Sequence, residues 1–360
     1  MNKLLLFAGL VPFAGFGQIA LTNTNFPAAN EQWIMSTLLD LNIDFATTGA
    51  NYNWDFTSLQ PTGQRFADYK PVSQASTLSN LLFGTFAPAE YKASYFNAST
   101  DIPLEDLTAS FPVTIGGISG FSKTSASALT MVGWEFVING TGIPVRSDTI
   151  ETRYEFPLEY GDAYDSRGYT HLNMNPIYDA QWTQHRYRQS TVDGWGVIST
   201  PYGTFNCLRI HHIVRESDSI YVPVAGGTWI GIPLPEYHEY EWRAAEEKEA
   251  ILRINTSVLL GNETVSGVEY RAHFDPTLAL NENAISLELF PNPANSQLTV
   301  RSNSEVVSLT VVNQQGQQVN SVVSLFGSLA SVDLQTVDAG VYYVTVKTVS
   351  GTATRLIVKN

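Results

Sequence analysis

The chain has a single cysteine, Cys207, in 360 residues. No disulfide can form within it, so the fold must rest on its core. Cys207 sits in "GTFNCLRIHH", a strand-like alternating run, and reads as a small buried apolar residue rather than a reactive thiol. Charge is scarce too: charged residues make up 15% of the chain, and the net charge is −14. That sign argues against nucleic acid as a partner and against an electrostatic grip on an anionic membrane. The zincin HExxH, the G-x-S-x-G elbow, the EF-hand loop and the phosphate loop are all missing. His171, His185, His238 and His273 are scattered, without the short spacings of zinc sites. His211 and His212, adjacent on a strand, would point to opposite faces and cannot chelate one metal together. No cofactor or metal is expected.

Long apolar runs are absent as well. The run from Leu4 is too short, and too broken by Pro12, to span a bilayer. Preceded by Lys3 and followed by the small residues Gly15 and Gly17, it reads as a secretory signal peptide over 1–17, cut to leave Gln18 first. No cysteine follows it, so no lipoprotein anchor is expected.

What the sequence does have is strand signal. Hydrophobic residues are 44% and aromatic residues 12%, with many Thr, Tyr, Val and Phe, which favour strands over helices. "TRYEFPLEYGDAY" and "HEYEW" alternate bulky and polar residues. "GWEFVINGTGIPV" is a hairpin with Asn139-Gly140 at its turn. "GWGVISTPYGTFNCLRIHHIVRESDSIYVPV" reads as a strand, a Pro-Tyr-Gly turn, a long strand, a turn at Ser217–Ser219 and another strand. Two stretches have helical character, "EQWIMSTLLDL" and "RAAEEKEAIL". The body over 18–280 is therefore expected to be all-β, as one large β-sandwich or two.

A second module follows. From Ser286 onward the acids Glu288, Glu305, Asp333 and Asp338 balance the bases Arg301, Lys347, Arg355 and Lys359, so the body carries the whole −14 and also all seven tryptophans. "LELFPNPANSQLTVRS" puts Pro291 and Pro293 at a strand edge. "VVSLTVVNQQGQQV" reads as two strands around Asn313–Gly316, "LASVDLQTVDAGVYYVTVKT" as two more, and "GTATRLIVKN" closes a hairpin after Ser350-Gly351. Roughly seven short strands in this span make a small Ig-like antiparallel sandwich over 286–360.

The order "FPNPA", hairpin, "DAGVYYVTV", "G…RLIVKN" resembles the type A C-terminal sorting domain of type IX secretion. The resemblance implies a Bacteroidetes-type bacterium, the type IX machinery as partner, and a route through the periplasm to the medium or the outer-membrane surface. Phe290, Pro291, Asn292, Pro293, Gly340, Tyr342 and Lys359 carry the match. The body is similar to a group of exported passengers with the same tail, through "QIALTNTNFPAANEQW", "GANYNWDFTSLQP", "YEFPLEYGDAYDS" and "DGWGVISTPYGTFNCLRIHH". That group has no assigned activity.

Candidate sites in the body are few. The acids Asp101, Glu105, Asp106, Glu151, Glu155, Glu159, Asp162, Asp165, Glu236, Glu239 and Glu241 show no spacing that selects a glycosidase pair, and a solvated face is expected for them. Aromatics are dense between Trp182 and Trp242. Trp195, Tyr202, Trp229 and Tyr237 are candidates to stack on sugar rings, although large aromatics also fill sandwich cores. Asp148-Thr149-Ile150 and Asp218-Ser219-Ile220 resemble O-glycosylation acceptors, at Thr149 and Ser219. The expected function is a non-catalytic binding module, with glycan as candidate ligand; the alternative is an unrecognised hydrolase acting on polysaccharide.

Overall fold

A computed structural model describes residues 19–99, 115–138, 140–175, 179–222, 227–232, 234–275, 278, 287–302, 306–313, 318–319, 321–348 and 351–360. The signal segment 1–17, Asn139, the turn expected over 314–316, the module boundary at 281–286, and Asp101, Glu105 and Asp106 lie outside the described residues.

The expected all-β class holds. The body contributes β1 (Glu31–Leu38), β2 (Ala50–Asp55), β3 (Gly63–Tyr69), one short helix α1 (Thr77–Phe83), β4 (Tyr95–Ala98), β5 (Ile115–Thr124), β6 (Ala128–Ile138), β7 (Thr141–Glu155) and β8 (Ala163–Asn173). It continues with β9 (Gln181–Thr200), β10 (Gly203–Val222), β11 (Thr228–Ile232), β12 (Glu236–Ala244), β13 (Leu252–Leu259) and β14 (Asn262–Arg271). All fourteen strands belong to one sheet, ordered β3-β1-β14-β13-β12-β10-β9-β8-β7-β6-β5-β4, with β11 attached to β10 and β2 running parallel to β9.

The two ends of that path meet. Lys70 and Phe96 exchange backbone hydrogen bonds of 2.8 and 2.9 Å, so the sheet closes on itself. Contacts across the interior confirm the curl. β7 and β12 are four steps apart on the path, about 19 Å along a sheet at ~4.8 Å per strand. Yet the Tyr154 hydroxyl on β7 donates to Glu241 on β12 at 2.6 Å.

The spine is the β9–β10 hairpin. Each strand is 20 residues long, and they pair from Thr200↔Gly203 to Gln181↔Tyr221 around the expected Pro201-Tyr202 turn. The turn expected at 217–219 does not exist. Ser217, Asp218 and Ser219 continue β10, pairing with His185, Gln184 and Thr183. Asp193 is an inserted bulge residue, since Arg209 faces Gly194 and Ile210 faces Val192. The inward residues of β9 change character along its length: Trp182, then Gln184, Arg186, Arg188 and Ser190, then Val192, all buried. Trp182 joins Trp134, Phe136, Ile138 and Ile220 in one apolar cluster. Val192 joins Leu21, Phe26, Leu158, Leu208 and Ile210 in another.

Parts of the outer surface are covered as well. Ile43, Trp54, Phe56 and Leu59 pack on the outward residues of β12–β14, among them Trp242, Ile254, Val268 and Tyr270. On another wall, Phe83 of α1 stacks on Phe121 at 4.3 Å. Ser76 caps α1, accepting from the Ser79 N–H at 3.2 Å. The hydroxyls of Ser76 and Ser79 both bond the buried Glu135 carboxylate of β6.

Neither expected helix forms. "EQWIMSTL" is β1, paired on both sides by β3 and β14. "RAAEEKEAIL" ends β12, turns, and enters β13. Its charged residues are taken into ion pairs, Glu247 with Arg271, Lys248 with Glu31, and Glu249 with Arg243 and Arg253. Tertiary pairing outweighs a propensity of a few tenths of a kcal/mol per residue.

The C-terminal module has the expected seven strands: β15 (Leu287–Phe290), β16 (Gln297–Ser302), β17 (Val306–Asn313), β18 (Val322–Phe326), β19 (Leu329–Asp333), β20 (Gly340–Thr348) and β21 (Gly351–Lys359). They form two sheets, β15-β16-β19-β18 and β17-β20-β21. Leu298, Val300, Ala330 and Val332 of the first share one core with Val311, Val344, Val346 and Ile357 of the second. Among the described residues, none of these strands pairs with a strand of the body.

Close packing of α1 depends on Gly133 of β6. A Cβ there would lie 2.6 Å from the Phe83 ring and 2.4 Å from the Val145 carbonyl. Gly133→Ala should therefore destabilise the full chain by about 1–3 kcal/mol through overpacking, read as a lower urea midpoint with an unchanged slope.

Candidate functional site

Most of the chemistry of the body lies inside the closed sheet. β7, β9, β10 and β12 carry charged residues two apart, and this period sends each set to one face. Arg188 of β9 pairs with Glu151 at 2.8 Å and Glu239 at 2.7 Å. Arg186 pairs with Glu216 at 2.8 Å and Glu151 at 3.6 Å, and Arg153 with Glu151 at 3.1 Å. This first network holds three arginines and three glutamates. Gly168 of β8 lies beneath it. A Cβ there would meet the Glu151 Cβ at 3.2 Å and the Arg186 Cβ at 3.7 Å, so the bare backbone lets β9 reach β7 over the strand between them.

A second network has the same composition. Arg253 pairs with Glu241 at 2.7 Å, Glu249 at 3.3 Å and Glu269 at 3.5 Å. Arg243 pairs with Glu241 at 2.8 Å and Glu249 at 3.7 Å, and Arg65 with Glu269 at 2.7 Å. Arg243, Arg253, Glu241 and Glu249 close a ring of alternating sign. Tyr154 bonds Glu241, and Tyr69 bonds Glu249.

Each network holds three formal charges of each sign, and the arginines keep Glu151 and Glu241 ionised. Burial alone would raise the Glu151 pKa, but Arg153, Arg186 and Arg188 outweigh it and bring it down to about 2. Against the same burial, Arg243 and Arg253 hold Glu241 well below the usual carboxylate range. The solvated face expected for Glu151, Glu239 and Glu241 is thus corrected: these acids are interior partners of arginine. The signal was present as charges two apart in "QHRYRQ" and "HEYEWRA". It reads as a wet face because a strand with one charged and one aromatic face ordinarily buries only the aromatic one. In β12 both faces are covered.

Other polar groups are held apart from these networks. His211 and His212 do point to opposite faces. His212 is buried inside, its Nδ1 2.8 Å from the Ser190 hydroxyl, and burial lowers its pKa to about 3, with Arg188 contributing. His211 faces outward, its Nε2 3.2 Å from His238 Nδ1. Among the described residues no group of three or more His, Cys, Asp or Glu is arranged to hold a metal ion. Cys207 is buried, and burial pushes its thiol pKa up.

The four aromatic candidates do not assemble into one platform. Trp195 packs partly buried against the cluster of Val192, Leu208 and Ile210. Tyr202 accepts from Arg271 at 3.0 Å, donates to Glu247 at 2.9 Å, and lies against the Arg271 guanidinium. The Tyr237 hydroxyl accepts from Arg186 inside the body at 2.6 Å. Trp229 alone is open, at 46% exposure, with Ile230 beside it equally exposed. Its ring lies 5.8 Å from that of Tyr221, its cross-strand partner on β10. Tyr202 and Trp229 occupy opposite ends of β10, about 60 Å apart along the strand at ~3.3 Å per residue. Thr149 is exposed and Ser219 half-buried, both within strands rather than loops.

In the C-terminal module the motif residues converge although they are far apart in sequence. The Asn292 side chain accepts from the Val358 N–H at 2.8 Å and donates to the Leu356 carbonyl at 3.3 Å. The Ala294 N–H donates to the Val358 carbonyl at 2.7 Å. Gly340 pairs with Lys359 and Tyr342 with Ile357, while the Tyr342 hydroxyl donates to the Asp338 carbonyl at 2.9 Å. The proline block is thus a clamp on the last strand.

Residues 288–360 match the family model described as the secretion system C-terminal sorting domain. A tail of this kind is an address for type IX secretion and implies export to the cell surface or beyond. Comparison with curated proteins and with solved structures finds no match. No helix among the described residues is long and apolar enough to cross a membrane.

Two variants test the interior. Glu241→Gln leaves Arg243 and Arg253 short of a counter-charge and should cost ~3–5 kcal/mol. Arg301→Ala removes a pair whose side chains are 58% and 60% exposed and should cost under about 1 kcal/mol. Equal effects in chemical denaturation would show that the buried networks carry no special weight.

Asp218 supplies a pH test. It is 1% exposed, takes the Trp182 indole N–H on Oδ2 at 3.1 Å, and lies against the Glu216 carboxylate. Burial, reinforced by the Glu216 carboxylate, pushes its pKa up to about 8. Unfolded, the group returns to about 3.9. Between those values the folded state binds the extra proton, so this residue lowers stability progressively as pH rises from about 4 to about 8. Asp218→Asn removes that loss. The gain over wild type should be small near pH 4, grow to a few kcal/mol (about 1.4 per pKa unit at most), and level off above pH 8. A gain independent of pH would show that Asp218 does not hold the proton.

Proposed function

We propose that this chain is a secreted or surface-displayed binding protein without catalytic activity. In this reading a signal peptide over 1–17 takes it to the periplasm of a Bacteroidetes-type bacterium, and the module from 286 onward carries it outward. The body over 18–280 then binds a glycan through the arm formed by β11 and the end of β10. The observation that carries the binding role is the open Trp229 ring with Tyr221 beside it and Ile230 following. Flat amphipathic rings stack on the apolar faces of sugars, and the stacking needs no charge. That suits a neutral polymer and a body with a net charge of −14.

The competing reading, a polysaccharide hydrolase, requires two carboxylates facing one another across a bound sugar. Glu151, Glu216, Glu239 and Glu241 are instead bound to arginines, and Asp218 is sealed beside Trp182. Binding is therefore favoured over hydrolysis.

Two measurements test this function. The full chain should retain at least one polymer in a screen of glycans and surface polysaccharides, and Trp229→Ala should weaken that binding about tenfold (stacking is worth roughly 1–3 kcal/mol) with the melting temperature unchanged. Equal binding by the variant would remove the arm from the argument. Separately, deleting 288–360 should leave the protein in the periplasm, and normal release of the truncated chain would refute the sorting role.

A further inference from the structure

The sorting module must be read by another protein, and its charges offer that reader little. Acids and bases balance from Ser286 onward. Recognition then falls to backbone groups and apolar side chains, and the two small sheets present four edges where both are available.

Three of the four edges carry features that blunt strand addition. β15 bears Glu288 and runs into Pro291 and Pro293. β17 has a register break at Val306/Ser308 and is bridged through Val312 to Gln318. β21 bears Arg355 and Lys359 and is bridged through Lys359 to Ala294. β18 has none of these. Its sequence is Val322-Val323-Ser324-Leu325-Phe326, without charge, proline or glycine, and among the described residues it pairs only with β19. Val322 is 70% exposed and Phe326 66%. Leu329, the cross-strand partner of Phe326, is exposed too. The Val306 N–H donates to the Gly327 carbonyl at 2.8 Å, which brings the exposed Val307 beside the hairpin turn. An apolar edge left open in this way pairs readily with another strand.

We propose that β18 is the edge by which the export machinery reads this module, through an extended apolar strand of a machinery protein that adds to β18 and seats its side chains against Val322, Phe326, Leu329 and Val307. This inference rests on the sorting role of 288–360.

The test uses the full chain in a bacterium with a working type IX system. Val322→Lys/Phe326→Lys should cut the exported fraction at least tenfold, with the protein held in the periplasm. Ser324→Lys, which charges the same edge at an already exposed position and leaves both apolar residues in place, should do the same. Glu288→Lys on the opposite edge should export normally. Melting temperature and protease resistance of the purified chains show whether each variant is folded; if the double variant is not, Ser324→Lys decides. A folded β18 variant exported at the wild-type level overturns the proposal. So does normal export combined with conversion of a wild-type dimer to a monomer, because the edge would then belong to a second copy of the chain. If deletion of 288–360 also leaves export intact, it is the sorting role that fails; if deletion stops export while charged β18 does not, only the assignment of the edge fails.

Discussion

Seven buried charges, on Glu151, Arg186, Arg188, Glu216, Glu241, Arg243 and Glu249, have to be satisfied without water, and much of the body's architecture follows from how this is done. A buried guanidinium or carboxylate costs several kcal/mol unless its partner is close and well oriented. Here each network has three of each sign, and every link is an arginine fork rather than a lysine. Arginine stays protonated and bonds two oxygens in a plane. The network therefore fixes geometry as well as charge. It ties β7 to β9 and β12, and β3 to β13 and β14, and opposite walls of the closed sheet are held at defined separations.

This arrangement explains why apolar clusters lie on either side of the charged zone along β9. Trp182 and Val192 mark the two apolar zones, with Gln184 to Ser190 between them. It also explains the outer layer. Because the inward face of β12 is given to Glu239, Glu241 and Arg243, its large apolar residues Tyr240 and Trp242 point outward and need the cover of Trp54, Phe56 and Leu59. A sheet with a charged inside acquires part of its apolar core on the outside.

Strand content was legible in the sequence because alternation and turn residues are local. The Pro201-Tyr202 turn and the hairpin between β6 and β7 fell where the residues put them. The C-terminal module was legible for a further reason: its motif blocks meet in space through Asn292, Gly340 and Lys359, so order and spacing reflect contact. The interior was not legible. Which face of a strand is wet depends on residues brought in by other strands, and Glu241 takes its place from Tyr154 of β7, Arg253 of β13 and Arg243 of its own strand together. The misreading of "RAAEEKEAIL" as a helix has the same origin, since Glu247 is taken by Arg271 and Lys248 by Glu31. Of the candidate aromatics only Trp229 stayed open, because Tyr202 and Tyr237 are held by arginines the sequence does not place near them.

The closure between β3 and β4 gives the body a mechanical character. Around its girth it behaves as a hoop with a clasp. Most joints are ladders of several residue pairs, but this one is the Lys70–Phe96 bridge, and the joint of β7 with β8 has only Ser147↔Thr170 and Thr149↔Tyr169 in register. The first network reinforces the β7 joint, because Glu151 is bound across β8 to Arg186 and Arg188 on β9. No comparable ionic strap crosses the clasp among the described residues. The clasp is therefore the joint of the hoop held by the fewest backbone bonds, and the attachment of the wall β4–β7 to the rest of the body falls chiefly on Glu151 and Tyr154.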